Sequence, residues 1–499
     1  MRKRARSAGP GQEAARRLLS LIVWLTMLMV IPELGQAQTV EDNQLRLNQS
    51  GQRRSASRDR ALLEDTDTLT VDGRDYSVAH TVSEIGQAIY IALGRQQWPD
   101  VQRFLRRYAS MPGADPMLLH YARGGLARHK GHLRQAEREY RALLALQPDF
   151  LPGQLELARV LFENQRDQAA ATQFRQIAAA LPSTAKADGI RHTVQLFLQA
   201  LRRRHSWQGS FALGPGYNDN INQAQASQTC LWIDGAGNCI IHRRMPAAIA
   251  ATGLDIEASL FRQQPLSGPH NIYLRSLLMG SLYPGHTRYH QLNSLNQIGY
   301  QYRNGHDTWM LAPGFDAGSY GSGLLYRAWG LHGEWSHGFA SSWLLKLEAD
   351  HKRFRYPMFG YRDFDGHLED GFVTVSRAVG QHWLLLGGLD LVDKQARDPA
   401  QGFMQRGARL GAVYSLENQF SLYLMASVRE RDYAAFNPML AQRRHDLERN
   451  LILIASLPRW SLFGIYPSLV AQISEIRSNV DWLYSYQRRQ ISLRLQRPF

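Results

Sequence analysis

Side chains that could carry out catalysis occur in this 499-residue chain without the spacing that a reaction needs. The segment Gly318–Gly323 (GSYGSG) superficially suggests a serine nucleophile, but its spacing does not match the nucleophile elbow of serine hydrolases. Glycine and serine are also the residues that a tight turn requires. No elbow serine, pair of carboxylates or histidine-rich ligand set stands out elsewhere. The sequence therefore predicts a protein that is not an enzyme and that holds no cofactor or metal.

Two cysteines are the other reactive groups, and both fall in one stretch of the chain. Cys230 and Cys239 bracket the turn-forming residues Asp234–Gly237. This spacing favours a small loop closed by a disulfide in an oxidising compartment. A zinc site is one alternative, and it would need ligands in addition to this pair. Free thiols are the alternative if the loop is disordered.

Charged side chains also recur at every second position of several segments whose other positions are apolar. The alternation is clear over 253–260, 343–350 and 490–496, and a period of two indicates a β-strand between two different environments. We expect the apolar side chains to face lipid, because a Lys or Arg there would cost about 2–4 kcal/mol at mid-membrane. The polar positions would line a lumen of mixed charge. Its predicted lining is Asp255, Glu257, Lys346, Glu348, Asp350, Arg409, Arg429 and Arg494.

These alternating stretches belong to a run of fourteen strand-length segments near the end of the chain. Their connections alternate long and short, which is typical of an outer-membrane β-barrel with tight turns in the periplasm and longer loops outside. Fourteen strands enclose more space than the eight-stranded barrels that side chains can fill. A soluble all-β domain is the alternative, but such domains rarely show this asymmetry of loops. The predicted segments are 207–217, 247–262, 271–283, 289–303, 308–320, 324–337, 342–355, 367–379, 382–395, 403–415, 420–432, 444–457, 460–476 and 482–497.

The first 37 residues have the three parts of a secretory signal peptide. A basic start (MRKRAR) precedes the apolar run Leu18–Ile31, and the small residues of Gly35–Ala37 place the expected cleavage after Ala37. A membrane anchor is the alternative, although the apolar run is shorter than the roughly 20 residues of a spanning helix. The polar residues 38–80 that follow are interpreted as a flexible leader.

Helical periodicity begins near Thr81 and contains an internal repeat of thirty-four residues, the length of a tetratricopeptide (TPR) repeat. The repeated signature positions are Ala136 and Ala170, Tyr140 and Phe174, and Pro148 and Pro182. Gly124 and Ala158 occupy the small position where paired helices cross. Ile85–Pro112 is similar to a degenerate first repeat, and a final helix at about 186–204 would cap the stack. An ordinary helical bundle is the alternative.

The sequence therefore predicts an α + β protein with two domains. A helical TPR-like solenoid would occupy 81–205, and a fourteen-stranded antiparallel transmembrane barrel would occupy 206–499. Helical hairpins that stack in this way form a concave groove. Side chains on the first helix of each pair would face the groove, and the candidates are Tyr121, Arg128, Glu156 and Arg159.

This combination of domains over 81–499 resembles the surface lipoprotein assembly modifier family. The most specific local element is the junction, where the segment Trp207–Tyr217 runs into an Asn/Asp-rich motif (NDNIN). The motif contains Asn218, Asp219, Asn220 and Asn222. The resemblance implies a translocon in the outer membrane, with its TPR domain in the periplasm. Such proteins move clients outside, either surface lipoproteins or soluble haem- and metal-scavenging proteins, and the energy would come from client folding or from chaperone hand-over.

The partners that this resemblance implies are the client, periplasmic chaperones, the barrel-assembly machinery and outer-membrane lipid, with the translocon itself a monomer. A net charge of +15 suits lipid phosphates or an acidic partner. An exported chain without a recognition motif is not expected to bind nucleic acid. Some exopolysaccharide exporters also join TPR repeats to a barrel, which is the main alternative. A nutrient porin is a further alternative, although it would have no obvious use for the helical domain.

One strand of the predicted barrel carries an irregularity. Gly214, Pro215 and Gly216 lie in the first segment, and a proline weakens a strand because it cannot donate a ladder hydrogen bond. A weak first strand beside the last strand would form a lateral gate, and a bulge at the barrel rim is the alternative.

Overall fold

The structure is a computed structural model that describes residues 68–71, 74–182, 184–339, 342–416, 418–438 and 440–499. The predicted signal peptide, residues 1–37, lies outside these ranges. Strands β1 (Thr68–Val71) and β2 (Arg74–Ser77) pair as an antiparallel hairpin. This hairpin falls within 38–80, the segment predicted as a flexible leader, so the described end of the leader is folded. Leu69 anchors the hairpin, because its side chain is buried in the core of the first helices.

Seven helices follow in the described part of the first domain. They are α1 (Val82–Gly94), α2 (Trp98–Tyr108), α3 (Pro116–His129), α4 (Leu133–Leu146), α5 (Leu151–Glu163), α6 (Asp167–Ala180) and α7 (Ala185–His205). The side chains of Thr81 and Asp115 cap α1 and α3 by accepting hydrogen bonds from the N–H groups of Glu84 and Met117. Within the described residues, no helix is both long and apolar enough to cross a membrane.

The first six helices stack as three pairs, and α7 packs after the last pair. The signature alanines Ala136, Ala158 and Ala170 are buried, and the rings of Tyr140 and Phe174 lie in the same core. Small side chains let two helix backbones approach, and the aromatic rings fill the space beside them at close packing. The pair α1–α2 occupies the place of the predicted degenerate repeat, so the solenoid has three helix pairs and a terminal helix.

Fourteen strands form a closed antiparallel barrel, which agrees with the predicted number. They are β3 (Gln208–Asn218), β6 (Ala251–Pro265), β7 (His270–Leu282), β8 (Gln291–Arg303), β9 (Asp307–Tyr320), β10 (Gly323–Phe339), β11 (Trp343–Arg355), β12 (Gly366–Val379), β13 (Trp383–Ala396), β14 (Phe403–Leu416), β15 (Phe420–Asn437), β16 (Gln442–Ser456), β17 (Tyr466–Ser478) and β18 (Tyr486–Pro498), with a short helix α8 (Asp481–Tyr484) before the last strand. Strand β18 pairs with β3 and closes the barrel.

Two connections differ from the sequence prediction. The loop after β3 contains a further antiparallel hairpin, β4 (Ser227–Ile233) and β5 (Cys239–Met245), that the sequence pattern did not indicate. The thirteenth barrel strand was predicted to start at residue 460 but begins at Tyr466. Residues 457–465 form an extended turn there, in place of the tight turn expected at Pro458–Arg459.

Successive side chains of each barrel strand alternate between an inner and an outer face. On β11, Lys346 is 1% exposed while its neighbour Leu347 is 37% exposed. The outer face carries large exposed apolar side chains such as Leu410 and Leu493, whereas charged side chains on the inner face bury one another. This is the arrangement of a membrane-spanning barrel. We call the end of the barrel beside the helical domain the periplasmic end, and the opposite end the outer end.

Candidate functional site

The predicted groove residues come together on α3 and α5, the first helices of the second and third pairs. Arg128 Nη1 lies 2.9 Å from Glu156 Oε2, and Arg159 Nη1 lies 2.6 Å from Glu156 Oε1. The sequence reasoning missed one member of this cluster, Glu163, whose Oε1 lies 2.5 Å from Arg128 Nη2. Because Glu163 follows Arg159 by four residues on one helix, helical periodicity alone could have indicated it.

Partial burial and ion pairing shift the pKa values of the predicted groove residues. Burial alone would lower the pKa of Arg128, but its hydrogen bonds and ion pairs with Glu163 and Glu156 raise that pKa above its ordinary value. Tyr121 packs edge-on against Tyr140 with ring centroids 6.0 Å apart, and burial raises the pKa of Tyr121. At neutral pH the predicted groove residues therefore present fixed charges of both signs beside a neutral tyrosine. Such a surface complements a polypeptide better than a ligand of a single charge.

The second helix pair is attached to the periplasmic rim of the barrel through the turn between its two helices. The ring nitrogen His306 Nε2 lies 3.0 Å from the carbonyl oxygen of Gly131. Arg134 Nη2 donates a hydrogen bond of 2.7 Å to the hydroxyl of Tyr302. His306 lies in the connection between β8 and β9, and Tyr302 lies near the end of β8. The sequence reasoning missed this contact, because its partners are more than 160 residues apart in the chain.

The third helix pair reaches the neighbouring short turn of the barrel. Gln168 Nε2 donates to the carbonyl of Pro265, at the end of β6, over 3.2 Å. After α7, the chain enters β3 at Gln208. The solenoid therefore follows the barrel rim from the β8–β9 turn towards the first strand. The helix pairs that carry the predicted groove residues are therefore the ones that contact the periplasmic rim of the barrel.

Helix α7 is fixed to the third pair by a buried carboxylate that the sequence reasoning also missed. Asp167 Oδ1 lies 2.5 Å from Arg204 Nη1, and its Oδ2 lies 2.9 Å from His205 Nε2. Burial alone would raise the pKa of Asp167, but the hydrogen bond with His205 and the charge of Arg204 hold that pKa below its ordinary value. Arg204 and His205 are the last residues of α7, and β3 begins three residues after His205, so this cluster lies where the solenoid joins the barrel.

The predicted lumen residues lie on the inner face of the barrel, where they pair along one strand, between neighbouring strands or across an intervening strand. Lys346 Nζ lies 2.7 Å from Glu348 Oε1 and 3.2 Å from Glu334 Oε2. On another part of the wall, Arg429 Nε lies 3.1 Å from Asp390 Oδ2. Asp350 pairs with His332, and Arg494 pairs with Glu257 and Asp255, while Arg409 donates a hydrogen bond to the hydroxyl of Thr374. The lumen is therefore lined by paired charges rather than by a field of one sign.

One group in this lining has the composition of a metal site. His332, Glu334 and Glu348 offer ligand atoms that lie within 4.8 Å of one another. The ammonium group of Lys346 lies 2.7 and 3.2 Å from the two carboxylates. Because this cation already neutralises them, the group is an ion-pair cluster and we assign no metal to it.

The Asn/Asp-rich motif after β3 forms hydrogen bonds at the outer end of the barrel, and we call it the clasp. The clasp consists of Asn218, Asp219, Asn220 and Asn222. Two of its members reach the last strand. Asp219 Oδ1 accepts a hydrogen bond of 2.6 Å from the N–H of Arg489, and Asn220 Nδ2 donates one of 2.6 Å to the carbonyl of Gln487. The clasp thus continues the contact between the first and last strands beyond the end of β3.

The other two clasp residues hold segments beside the first strand. Asn218 Nδ2 donates to the hydroxyl of Tyr283 over 3.2 Å. Asn222 Nδ2 donates to the carbonyl of Ala247 over 2.9 Å, and its Oδ1 accepts a bond of 2.8 Å from the N–H of Ile249. Short side chains with donors and acceptors close to the backbone are what such bonds require. This explains the composition of the motif without any bound ligand.

The two cysteines lie on β4 and β5, the hairpin of the first outer loop. Their Cα atoms are 5.7 Å apart, a separation that a disulfide spans, and their sulfur atoms are bonded. The hairpin turns at Asp234, whose Oδ1 accepts hydrogen bonds from the N–H groups of Asn238 and Ala236. The bonds from Asn238 above all hold the pKa of Asp234 below its ordinary value.

The serine-containing segment Gly318–Gly323 covers the end of β9, the two-residue turn Gly321–Ser322 and the first residue of β10. Gly321 has a φ of +61°, a conformation that glycine adopts without strain. The hydroxyl of Ser319 donates to the carbonyl of Leu292 over 3.4 Å. These contacts give the segment a structural role.

Comparisons with known proteins match both domains. The model of the family described as surface lipoprotein assembly modifier matches residues 207–499, and the model of its N-terminal TPR repeats matches residues 73–174. The hemophilin secretion modulator of Acinetobacter baumannii is 34% identical over 479 residues, which cover 92% of this chain and 96% of that protein. Surface lipoprotein assembly modifier 1 of Haemophilus influenzae is 24% identical, with 80% of this chain and 81% of that protein covered. Its namesake in Neisseria meningitidis serogroup B is 24% identical, with 86% of both chains covered.

Proposed function

The chain belongs to the surface lipoprotein assembly modifier family, and we propose that it is an outer-membrane translocon that moves client proteins from the periplasm to the outside. The TPR domain recruits the client, and the barrel gives it passage. Both domains take part, since the relatives align with this chain along most of its length.

The observation that carries this proposal is the attachment of a charged groove to the rim of a barrel with a charged lining. Arg128, Glu156 and Glu163 give the groove paired charges, and the turn at Gly131 joins its helix pair to the barrel at His306. A client held in the groove is thereby kept next to the barrel mouth. This proximity raises the effective concentration of the client at the lumen, as a tether does between two linked binding sites.

The lumen is suited to a polypeptide, because it offers charges of both signs along its wall. Pairs such as Lys346–Glu348 and Arg429–Asp390 can exchange partners with the charged side chains of a passing chain. A lining of paired charges does not hold a chain of either sign, so it favours passage over retention.

The nature of the client is inferred from the names of the relatives. One is named for hemophilin secretion and others for surface lipoprotein assembly. The client is accordingly a surface lipoprotein or a secreted haem- or metal-scavenging protein. An exopolysaccharide is not supported, because the relatives that match both domains are named for protein cargo.

The protein works as a monomer without catalysis, drawing the energy for transport from client folding outside or from chaperone hand-over. Periplasmic chaperones deliver the client, and the barrel-assembly machinery inserts the translocon into the membrane. The basic excess of the chain, a net charge of +15, meets the phosphates of outer-membrane lipid.

The experiment that tests this function compares the full-length protein with a variant that lacks residues 81–204. Each is expressed with a candidate client from a neighbouring gene, and surface exposure of the client is measured by protease shaving of intact cells. A heat-dependent shift of the barrel on gels controls for its folding. We expect the truncated protein to form a barrel but to export no client. Equal exposure of the client with both proteins would overturn recruitment by the helical domain, and loss of a secreted sugar polymer would indicate an exporter of polysaccharide.

A further inference from the structure

The seam between the first and last barrel strands is interrupted in its middle. Residues pair from Asn218 with Gln490 to Gly216 with Ser492, and pairing resumes only at Leu213 with Leu495. The two positions between them include Pro215, which has no N–H to donate. On its other side, β3 pairs with β6 without interruption. The gap therefore lies on the seam side of β3.

An interruption of strand pairing beside a proline does not by itself make a gate. The barrel contains a second such interruption, which serves as a comparison. Pairing between β8 and β9 stops at Gln297 with Gly314 and resumes at Tyr300 with Leu311, beside Pro313. That pair of strands is joined by the short turn at residues 304–306, so it cannot part at that end. No turn joins β3 to β18, because they are the first and last strands of the barrel.

The seam is instead held at its two ends by noncovalent contacts. At the outer end, the clasp residues Asp219 and Asn220 bond to the backbone of the last strand. At the periplasmic end, Gly209 and Phe499 exchange hydrogen bonds, with Phe499 N–H donating over 3.0 Å and Gly209 N–H over 3.2 Å. Between these two ends, β3 and β18 lack backbone pairing from Gly216–Ser492 to Leu213–Leu495.

On the lumen side, two residues of the last strand brace the weak section by reaching across β3 to β6. Arg494 Nη1 lies 2.8 Å from Glu257 Oε2, and Gln490 Nε2 donates to Asp255 Oδ2 over 3.0 Å. Gly216 makes room for this bridge, since a Cβ there would lie 2.5 Å from Asp255 Oδ2. The brace consists of Gln490, Arg494, Asp255 and Glu257. Charged side chains of a polypeptide in the lumen can compete with these residues for the same hydrogen bonds and ion pairs.

We propose that the β3–β18 seam is a lateral gate, which parts between the clasp and the Gly209–Phe499 pair when a client polypeptide in the lumen displaces the brace. This inference rests on the proposed function and adds the route by which the lumen widens. Parting at the seam leaves intact every hairpin between consecutive barrel strands, together with wall ion pairs away from the seam such as Arg429–Asp390. The basic group of Arg494 and the acidic group of Glu257 make the trigger a segment that carries charge.

Crosslinking across the seam tests the gate. Leu213 and Leu495 are replaced by cysteines in a background in which Cys230 and Cys239 are serines, and the client exposed on cells is measured before and after oxidation and again after reduction. The matched control places cysteines at Tyr300 and Leu311, which flank the other proline gap in the same way. We expect oxidation to lower client export at least tenfold for the seam pair, with recovery on reduction, and to leave the control pair unchanged.

Equal export from the oxidised seam variant and the oxidised control would overturn the gate and leave the proposed function standing. If the parent protein exports no client, the proposed function and the gate both fail. A second measurement addresses the brace by recording ion conductance of the purified protein in planar bilayers. Arg494→Gln is expected to open more often than the parent, while Arg191→Gln, which removes an arginine of α7 outside the barrel, is expected to behave like the parent. Openings of Arg494→Gln that persist after the seam is crosslinked would contradict the assignment.

Discussion

A Cβ atom added to Gly124 on α3 would lie 2.8 Å from Cζ of the Tyr140 ring on α4. Tyr140 is buried in the core of the solenoid and cannot move aside easily. The glycine and the tyrosine are thus two halves of one contact, in which the helix backbone packs directly on the ring. This contact explains why a repeat signature combines a small residue with an aromatic one sixteen positions later.

Gly124→Ala is therefore predicted to destabilise the helical domain. Overpacking costs about 1–3 kcal/mol, while alanine gains up to about 1 kcal/mol over glycine within a helix, so we expect a net loss of roughly 1 kcal/mol. Thermal unfolding followed by helical circular dichroism of the full-length protein measures it. Gly189→Ala in α7 is the matched control, because a Cβ there meets no atom within 4 Å, and it should stabilise the domain. Identical shifts for both variants would refute the packing argument.

The carboxylate of Asp167 is predicted to make the helical domain sensitive to acid. Its pKa is held below the ordinary value of 3.8, so its contribution to stability is present above that value. The contribution is lost as the pH falls through the lower pKa of the folded state. Asp167→Asn should flatten this part of the stability profile and lower the stability at pH 7 by about 1–3 kcal/mol.

The matched control for this prediction is Asp188→Asn. Asp188 also pairs with an arginine, Arg191, at 2.6 Å, but its side chain is 65% exposed. An exposed pair contributes about 0–1 kcal/mol, so the control should scarcely change the profile. Unfolding of the three proteins is followed between pH 2 and pH 7, and an unchanged acid limb in Asp167→Asn would show that other groups set the acid sensitivity.

Cys230 and Cys239 are predicted to be joined by a disulfide outside the cell. The hairpin that carries them leaves the barrel at the end opposite the helical domain. A membrane-impermeant maleimide should label intact cells only after reduction. Labelling that requires permeabilisation of the outer membrane would reverse the topology, and labelling without reductant would rule out the disulfide.

Arg128→Ala is predicted to weaken client binding about tenfold, or roughly 1.4 kcal/mol. The change removes a charge from the groove and leaves Glu156 and Glu163 without this partner. Affinity for a purified client is measured with full-length protein in detergent. Arg175→Ala is the control, because Arg175 is exposed on α6, the second helix of its pair. If both variants bind the client as the parent does, the groove surface assigned to these residues is wrong.

The architecture could be predicted from sequence because its signals are local. Alternation along 342–355 indicated β11 within one residue of its observed bounds, Trp343–Arg355. Local signals also gave a wrong prediction at the turn before β17, where the strand was expected to start at residue 460 and starts at Tyr466. Trp460 and Leu462 look like strand residues, yet Phe463 and Gly464 have φ angles of +53° and +78° and reverse the chain there.

The functional contacts were harder to predict because they join distant parts of the chain. Asn220 and Gln487 are 267 residues apart, and nothing near the motif indicates its partner. The same holds for Arg134 and Tyr302, which attach the solenoid to the barrel and are 168 residues apart. A sequence pattern shows which face of an element a residue occupies, whereas the partner on the other element depends on the tertiary fold.

Site-specific photo-crosslinking during export tests most directly the central claim that a client passes from the groove into the barrel. A photoreactive residue replaces Arg159 in the groove, Glu257 in the lumen, or Leu410 on the lipid-facing side, all of which have accessible side chains. We predict that an arrested client crosslinks to the groove and lumen positions and not to Leu410. Export of the client without any crosslink at the lumen position would contradict passage through this barrel.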